Sequence, residues 1–216
     1  QAKGELKQRL ASLNDTLNRR MHAATHLDYE DWLKSHQPFH WLAEFYQIIK
    51  GNGGFDVIIG NPPYVTFTDA SLKYNVRQYS TYNTKNLFAL CGERFTSLVC
   101  NNASIGYIIP LSGMSIDGFE SLQNIIYSNC HSWNSYYSGD RNPSELFTGV
   151  KIRAGIYISR HQKGNGRKYV GRYIKYSAAE RGILFSKINY VEIKDYISAP
   201  KVPTTIGYSI LQKIRG

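Results

Sequence analysis

Phe55-Asp56-Val57-Ile58-Ile59-Gly60-Asn61-Pro62-Pro63-Tyr64 is the stretch on which the reading of this chain turns. Its first six residues form a short apolar run that predicts a buried strand. Asn61-Pro62-Pro63-Tyr64 then stands at the carboxyl end of that strand, where open α/β sheets carry their chemistry. Two successive prolines set φ twice and remove two N–H donors, so the neighbouring carbonyls point in set directions. A rigid amide, aimed carbonyls and an aromatic ring make a site suited to holding a planar amine. The alternative is that the four residues form only a turn.

Upstream, Gly51-Asn52-Gly53-Gly54 predicts the turn that feeds this strand. Phe39-His40-Trp41-Leu42-Ala43-Glu44-Phe45 reads as a buried aromatic segment, with His40 a satisfied histidine and not a ligand. Leu6, Leu10, Leu13, Leu17 and Met21 recur at spacings of three and four, which predicts an amphipathic packing helix over about residues 4–24.

Downstream, a polar, tyrosine-rich stretch to Thr84 reads as a long loop, and long loops beside a site are often functional. Leu87, Leu90, Cys91, Phe95 and Leu98 mark a helix, and Ile105 to Pro110 a second buried strand. Asp117 with Glu120 has the form of a capping box opening a helix to about Ser128. His131 to Ser138 and Lys151 to Ser159 predict two strands that pair as an antiparallel hairpin around the loop 139–150. This order of elements indicates half of an α/β sheet. Residues 163–168 read as a linker, followed by a tyrosine-rich strand over 169–177 and a basic, mixed tail. Glu192 and Lys194 share the spacing of part of a nuclease motif, but no Asp in a strand context precedes them, and the match reads as chance.

With 216 residues the chain suffices for one sizeable domain, or one domain and a piece of another. Lysine and arginine number 26 against 16 acids, a net charge of +10 that favours polyanionic partners, nucleic acid first. Aromatics make up 13%, including 17 tyrosines, a composition suited to stacking on bases; most of these tyrosines nonetheless read as strand residues. Cys91, Cys100 and Cys130 form no C-x-x-C pair, which argues for a reducing cytoplasm and against a disulfide framework or metal site. No apolar run approaches the roughly 20 residues of a membrane span. Gln1-Ala2-Lys3-Gly4 lacks the apolar segment of a signal peptide, and no membrane partner is expected.

The residues from Phe55 to Val65 resemble the catalytic motif of amino-group DNA methyltransferases, which use S-adenosylmethionine to methylate adenine N6. The downstream order is similar to that of the TaqI-like branch, which includes many fused restriction–modification enzymes. Asn86 to Leu90 resembles the helix after the catalytic loop, and Gly106 to Pro110 the next strand. Glu145-Leu146-Phe147 followed by Lys151 to Ile158 resembles the loop and strand that carry a second base-stacking aromatic. The resemblance covers about residues 39–160. It implies a fold that is the C-terminal half of a Rossmann-like, S-adenosylmethionine-dependent methyltransferase sheet, between an N-terminal helical segment and a C-terminal extension. The implied divisions are a helical segment over 1–50, the catalytic half over 51–162, and a linker with the start of a target-recognition region over 163–216.

The resemblance also implies roles. The Asn61 side-chain oxygen and the Pro62 carbonyl accept the two hydrogens of the adenine amine. This draws its nitrogen towards tetrahedral geometry and frees the lone pair, with no histidine base. Tyr64 stacks on one face of a flipped adenine and Phe147 on the other. Asn61 and Pro63 touch the cofactor, and Lys151 and Arg153 contact DNA phosphates in the duplex. Lys151 and Arg153 are alternatively solvated neighbours of a strand, and Phe147 a core residue.

The chain departs from the family in two places. A Gly-x-Gly cofactor loop and an acidic ribose partner are not identifiable before Asn61; Gly51-Asn52-Gly53-Gly54 precedes a strand instead of following one. Asn101-Asn102-Ala103-Ser104 stands where the family has a Pro-Gly-Gly turn. The expectation is therefore the C-terminal part of a longer bacterial enzyme, or a degenerate or split product, that binds S-adenosylmethionine weakly or not at all by itself and is inactive alone. A half sheet exposes an edge beside residues 56–60, which invites pairing with the missing half or self-association. Rival readings are a protein-glutamine or RNA guanine-N2 methyltransferase, and a DNA-binding or assembly fragment without catalysis.

Overall fold

A computed structural model describes the chain except for residues 1, 73, 140–145, 148–150, 163, 195–196, 203 and 216. Helix α1 (Ala2–His22) leaves Leu6, Leu13 and Met21 exposed. Helix α2 (Tyr29–His36) starts at Asp28, whose carboxylate accepts from the N–H groups of Glu30 and Asp31 and so satisfies donors that a helix start leaves bare. It buries Trp32, packed among the rings of His22, Tyr29 and His36. The short helix α3 (Trp41–Glu44) and a π-helical turn, Gln47–Gly51, follow. The aromatic segment expected to be buried is not: Phe39 is 54% exposed. Its rings instead form a chain along the surface, from Phe39 through Trp41 and Phe45 to Phe55. His40 is satisfied, its Nε2 lying 2.7 Å from Asn18 Oδ1.

Strand β1 (Phe55–Gly60) is entered through Gly54 at φ +134°, where an added Cβ would lie 2.5 Å from the Val99 carbonyl carbon. Glycine is required there on both counts. Then come α4 (Leu87–Leu98), β2 (Val99–Pro110), α5 (Ser112–Ser115), α6 (Glu120–Tyr127), β3 (Cys130–Tyr137), β4 (Ala154–His161), β5 (Lys168–Ile174), β6 (Val191–Ile193) and α7 (Thr205–Arg215). The strands make one six-stranded sheet in the order β1-β2-β4-β3-β5-β6. β1 is parallel to β2, and β4 is antiparallel to both β2 and β3, the expected hairpin. β5 is parallel to β3, and β6 antiparallel to β5. The expected mixed α/β fold is therefore present.

The two faces of the sheet differ. Alternate residues of β2, namely Ala103, Ile105, Tyr107 and Ile109, are buried. They share a core with Tyr136, Tyr157 and Val170, under Phe88 of α4 and Leu122 and Ile126 of α6. Tyrosine hydroxyls pin the layers together. Tyr107 donates to the Phe88 carbonyl, Tyr157 to that of Ile126, and Tyr136 to that of Ala199 at 2.9 Å. Each ring is buried while its hydroxyl keeps a partner. On the opposite face, Ile59 of β1 and Ile158 of β4 both stand in register with Gly106, and they are 82% and 46% exposed.

Several expectations need correction. β1 is not a buried strand, because Val57 and Ile59 are exposed; it does lie at the open edge expected beside residues 56–60, with only β2 pairing with it among the described residues. β2 begins at Val99, ahead of the predicted Ile105, because polar Asn101 and Asn102 continue the strand on exposed ground. Asp117 opens a 3-10 turn, Asp117–Phe119, and no side chain caps α6. A capping box occurs instead at Ser177 and Glu180. Tyr107, Tyr136, Tyr137, Tyr157, Tyr169 and Tyr173 lie in strands, but the other described tyrosines lie in helices and loops. The sheet also runs on past residue 163: β5 and β6 belong to it, and Ala199, Val202 and Tyr208 join the main core.

Candidate active site at the carboxyl end of β1

Asn61-Pro62-Pro63-Tyr64 leaves the sheet at the end of β1, beside the end of the parallel strand β2. Pro62 is buried, Asn61 and Pro63 are exposed, and Tyr64 is half-buried against the main core. The Tyr64 hydroxyl donates to Asn61 Oδ1 at 2.7 Å and lies 3.1 Å from the Ile108 carbonyl oxygen. Burial pushes the pKa of this hydroxyl up to about 12, so it is a protonated donor at neutral pH.

The motif does not hang free. Leu87 N–H donates to the Val65 carbonyl and Phe67 N–H to the Lys85 carbonyl, each at 2.9 Å, around a β-bridge between Thr66 and Asn86. The strand exit is thereby clamped to the start of α4, and Phe67 is buried at the clamp. The intervening loop is folded. The Asp69 carboxylate accepts from Lys85 Nζ at 2.7 Å, Arg77 Nη2 at 3.1 Å and the Tyr82 hydroxyl at 2.5 Å. Lys85 foremost, with Tyr82, holds Asp69 down at about 2. Glu93 of α4 accepts from Ser80 N–H, Thr81 N–H and the Thr81 hydroxyl, which fixes the far side of the loop. A cavity of about 330 Å³ opens beside Asp69, Tyr74, Arg77 and Tyr82. Asp69, Arg77, Thr81, Tyr82, Lys85 and Glu93 were not singled out from the sequence. Their signal is pairing between distant positions, which no local pattern carries.

Lys151 and Arg153 are exposed and immediately precede β4, which starts at Ala154 opposite Pro110 of β2. They therefore lie at the same end of the sheet as Asn61. The Arg153 carbonyl accepts from Leu111 N–H at 2.8 Å. Phe147 is half-buried. Its neighbour Leu146 packs with Tyr137, Ile174, Tyr176 and Leu184, and the Leu146 carbonyl accepts from the Arg181 guanidinium. That packing lies at the ends of β3 and β5, on the far side of β2 and β4 from β1. Asn61 and Tyr64 are thus brought together, while no ring contact joins Tyr64 to Phe147 among the described residues. Glu145 lies outside the described residues. Glu192 of β6 makes an ion pair with Arg167 at 3.8 Å, in keeping with a structural role.

The match of a family model places the chain among the restriction–modification methylases. More narrowly, the chain belongs to the Eco57I restriction-modification methylase family, whose profile matches residues 2–142. It is 38% identical over 122 residues to a putative type II restriction enzyme and methyltransferase of Methanocaldococcus jannaschii, a match covering 56% of this chain and 10% of that protein. The fold is similar to that in the cryo-EM structure of a DrdV–DNA complex, with TM-score 0.56 and 15% identity, over 72% of this chain and 19% of that one. It is also similar to a nuclease-deletion mutant of the Type ISP restriction-modification enzyme LlaGI bound to a DNA substrate mimic. There the TM-score is 0.55 and the identity 15%, over 78% of this chain and 20% of that one. The chain thus spans about a tenth of its curated relative. Among the described residues no helix is long and apolar enough to cross a membrane.

Proposed function

We propose that this chain carries the catalytic half of a DNA adenine-N6 methyltransferase of the TaqI-like branch, the C-terminal half of a Rossmann-like sheet. The observation that carries the reading is the placement of Asn61 and Tyr64 in hydrogen-bond contact at the carboxyl end of a parallel strand. The amino nitrogen of adenine is a poor nucleophile because its lone pair is delocalised into the ring. Asn61 Oδ1 and the Pro62 carbonyl accept its two hydrogens, which favours a tetrahedral nitrogen with a usable lone pair. This is positioning and preorganised electrostatics, in which no histidine takes part.

S-adenosylmethionine would supply an electrophilic methyl group. Asn61 and Pro63 would touch it, and their exposure at the strand end fits one wall of such a site. Extruding the base from duplex DNA costs a few kcal/mol, of which stacking on Tyr64 returns roughly 1–3 kcal/mol. Phe147 is proposed for the second face of the base, and Lys151 and Arg153 for phosphates at the same end of the sheet. A net charge of +10 and the DNA-bound state of the DrdV and LlaGI enzymes support a DNA substrate. The setting proposed is a restriction–modification or phage-defence system in the cytoplasm.

The test is Asn61→Ala in the full-length protein, assayed for transfer of labelled methyl groups to duplex DNA, RNA and protein. Transfer to DNA is expected to fall by roughly 100-fold or more, while DNA binding in a mobility-shift assay stays near that of the unaltered protein. Transfer that survives the substitution, or that goes to RNA or protein instead of DNA, overturns the reading.

A further inference from the structure

We propose that the loop between β1 and α4 is a DNA-contacting element, in which Arg77, oriented by Asp69, takes a backbone phosphate of the duplex whose adenine enters the Asn61 site. The inference rests on the adenine-methyltransferase reading above and adds a contact outside the residues placed there. From Val65 to Asn86 the chain carries Lys73, Arg77 and Lys85 against a single acid, Asp69. Such an excess of cations binds a duplex by displacing the counterions of its phosphates. The length of the chain bounds where the loop can lie. Asp69 is five residues beyond Tyr64, a separation of at most about 18 Å even when fully extended. That is the rise of about five base pairs, so a duplex laid across the carboxyl end of β1 with its adenine at Asn61 comes within reach of Asp69 and its partners.

The loop's own bonds hold Arg77 at that end. Lys85 lies two residues before α4, and its Nζ donates to Asp69 at 2.7 Å, which ties Asp69 to the start of α4 beside the exit of β1. Arg77 Nη2 reaches the same carboxylate at 3.1 Å, yet the Arg77 side chain stays 71% exposed. A guanidinium is a rigid fork of five N–H donors, and one contact to a carboxylate leaves it a further edge for phosphate oxygens. The carboxylate orients the fork before DNA arrives, which lowers the ordering cost of the contact. Asp69 does not repel the phosphate as a lone acid would. Lys85 and Arg77 together outweigh its charge, and Lys85 is itself held 3.6 Å over the Tyr82 ring. With its pKa down at about 2, Asp69 stays ionised across the neutral range and the arrangement persists there. The cavity of about 330 Å³ beside Asp69, Tyr74, Arg77 and Tyr82 gives a phosphate and its sugar room to approach the guanidinium. The alternative is an arginine that only ties the loop together. Salt dependence separates the two, because a structural tie displaces no counterion from DNA.

The test measures binding of the full-length protein to a fluorescent mixed-sequence duplex by anisotropy, at salt concentrations from about 50 to 200 mM. Arg77→Gln is expected to make the slope of log affinity against log salt shallower by about 0.9, the share of one phosphate contact. Arg77→Lys, which keeps the charge, is expected to retain the slope. Arg160→Gln removes an exposed arginine at the opposite end of the sheet, in β4, and is expected to leave the slope unchanged. Three results overturn the inference: an unchanged slope with Arg77→Gln, a loss with Arg77→Lys as large as with Gln, or the same loss with Arg160→Gln, which would mark an effect of net charge alone. Each leaves the proposed function standing if the unaltered protein still methylates DNA. If the unaltered protein neither binds nor methylates the duplex, the proposed function falls and this inference falls with it.

Discussion

Lys168 shows how a single residue can record its burial in the pH dependence of the whole chain. Its ammonium donates to the Ile197 carbonyl at 2.8 Å and lies 3.9 Å over the Tyr127 ring. Burial nevertheless dominates and pulls its pKa down to about 8. The native state therefore binds fewer protons than the unfolded chain between about pH 8 and the unfolded value near 10.4. Stability from this group rises with pH through that window and is lost as pH falls through 8. Lys168→Met is expected to be more stable than the unaltered protein below pH 8, with the gap closing towards pH 10. Melting temperatures of the two proteins from pH 6 to 10 check this, and a gap that does not narrow with pH refutes it. At the same scale, Asn61 and Tyr64 were legible as a site because proline acts on its own neighbours. The bond from the Tyr64 hydroxyl to Ile108 was not, because it joins a loop to the adjacent strand.

Among the elements, the loop between β1 and α4 combines a polar sequence with a definite shape. Its polarity made it readable as a loop. Its order depends on Asp69 and Glu93, each of which gathers several donors from along the loop. Glu93 is the more consequential because its donors include Thr81, which is fully buried. Removing the carboxylate leaves the Thr81 N–H and hydroxyl without that acceptor, at about 1–3 kcal/mol for an unsatisfied buried donor. Glu93→Ala is expected to open the loop, seen as faster proteolytic cleavage between Asp69 and Thr84 with the sheet intact by circular dichroism. Cleavage at an unchanged rate would show that Asp69 alone suffices. The capping box illustrates the converse error. Asp117 and Glu120 have the right spacing, but a 3-10 turn intervenes and neither caps α6. Ser177 and Glu180 form the box because there the chain has turned to bring the hydroxyl and carboxylate together.

Across the whole molecule, one face of the sheet is covered by α4 and α6, while at β1 the other face and the outer edge stand open. Val57 and Ile59 are 57% and 82% exposed on a strand that pairs on one side only among the described residues. An apolar, unprotected edge of this kind is a template for further strand pairing. The 216-residue chain is expected to self-associate with rising concentration in sedimentation velocity, and Val57→Lys with Ile59→Lys to suppress this with little change in melting temperature. A chain that stays monomeric at high concentration counts against the edge as an association surface. The sequence by itself determined the succession of strand, Asn-Pro-Pro-Tyr exit, polar loop, helix and strand, and with it the candidate site, because periodicity and proline act over a few residues. The tertiary structure alone decided that β1 is exposed and not buried, that β4 inserts between β2 and β3, that residues beyond 163 complete the sheet and core, and that the Tyr64 hydroxyl meets Asn61 and Ile108. Those outcomes depend on which distant surfaces bury one another, and the spacing of residues along the chain does not encode that.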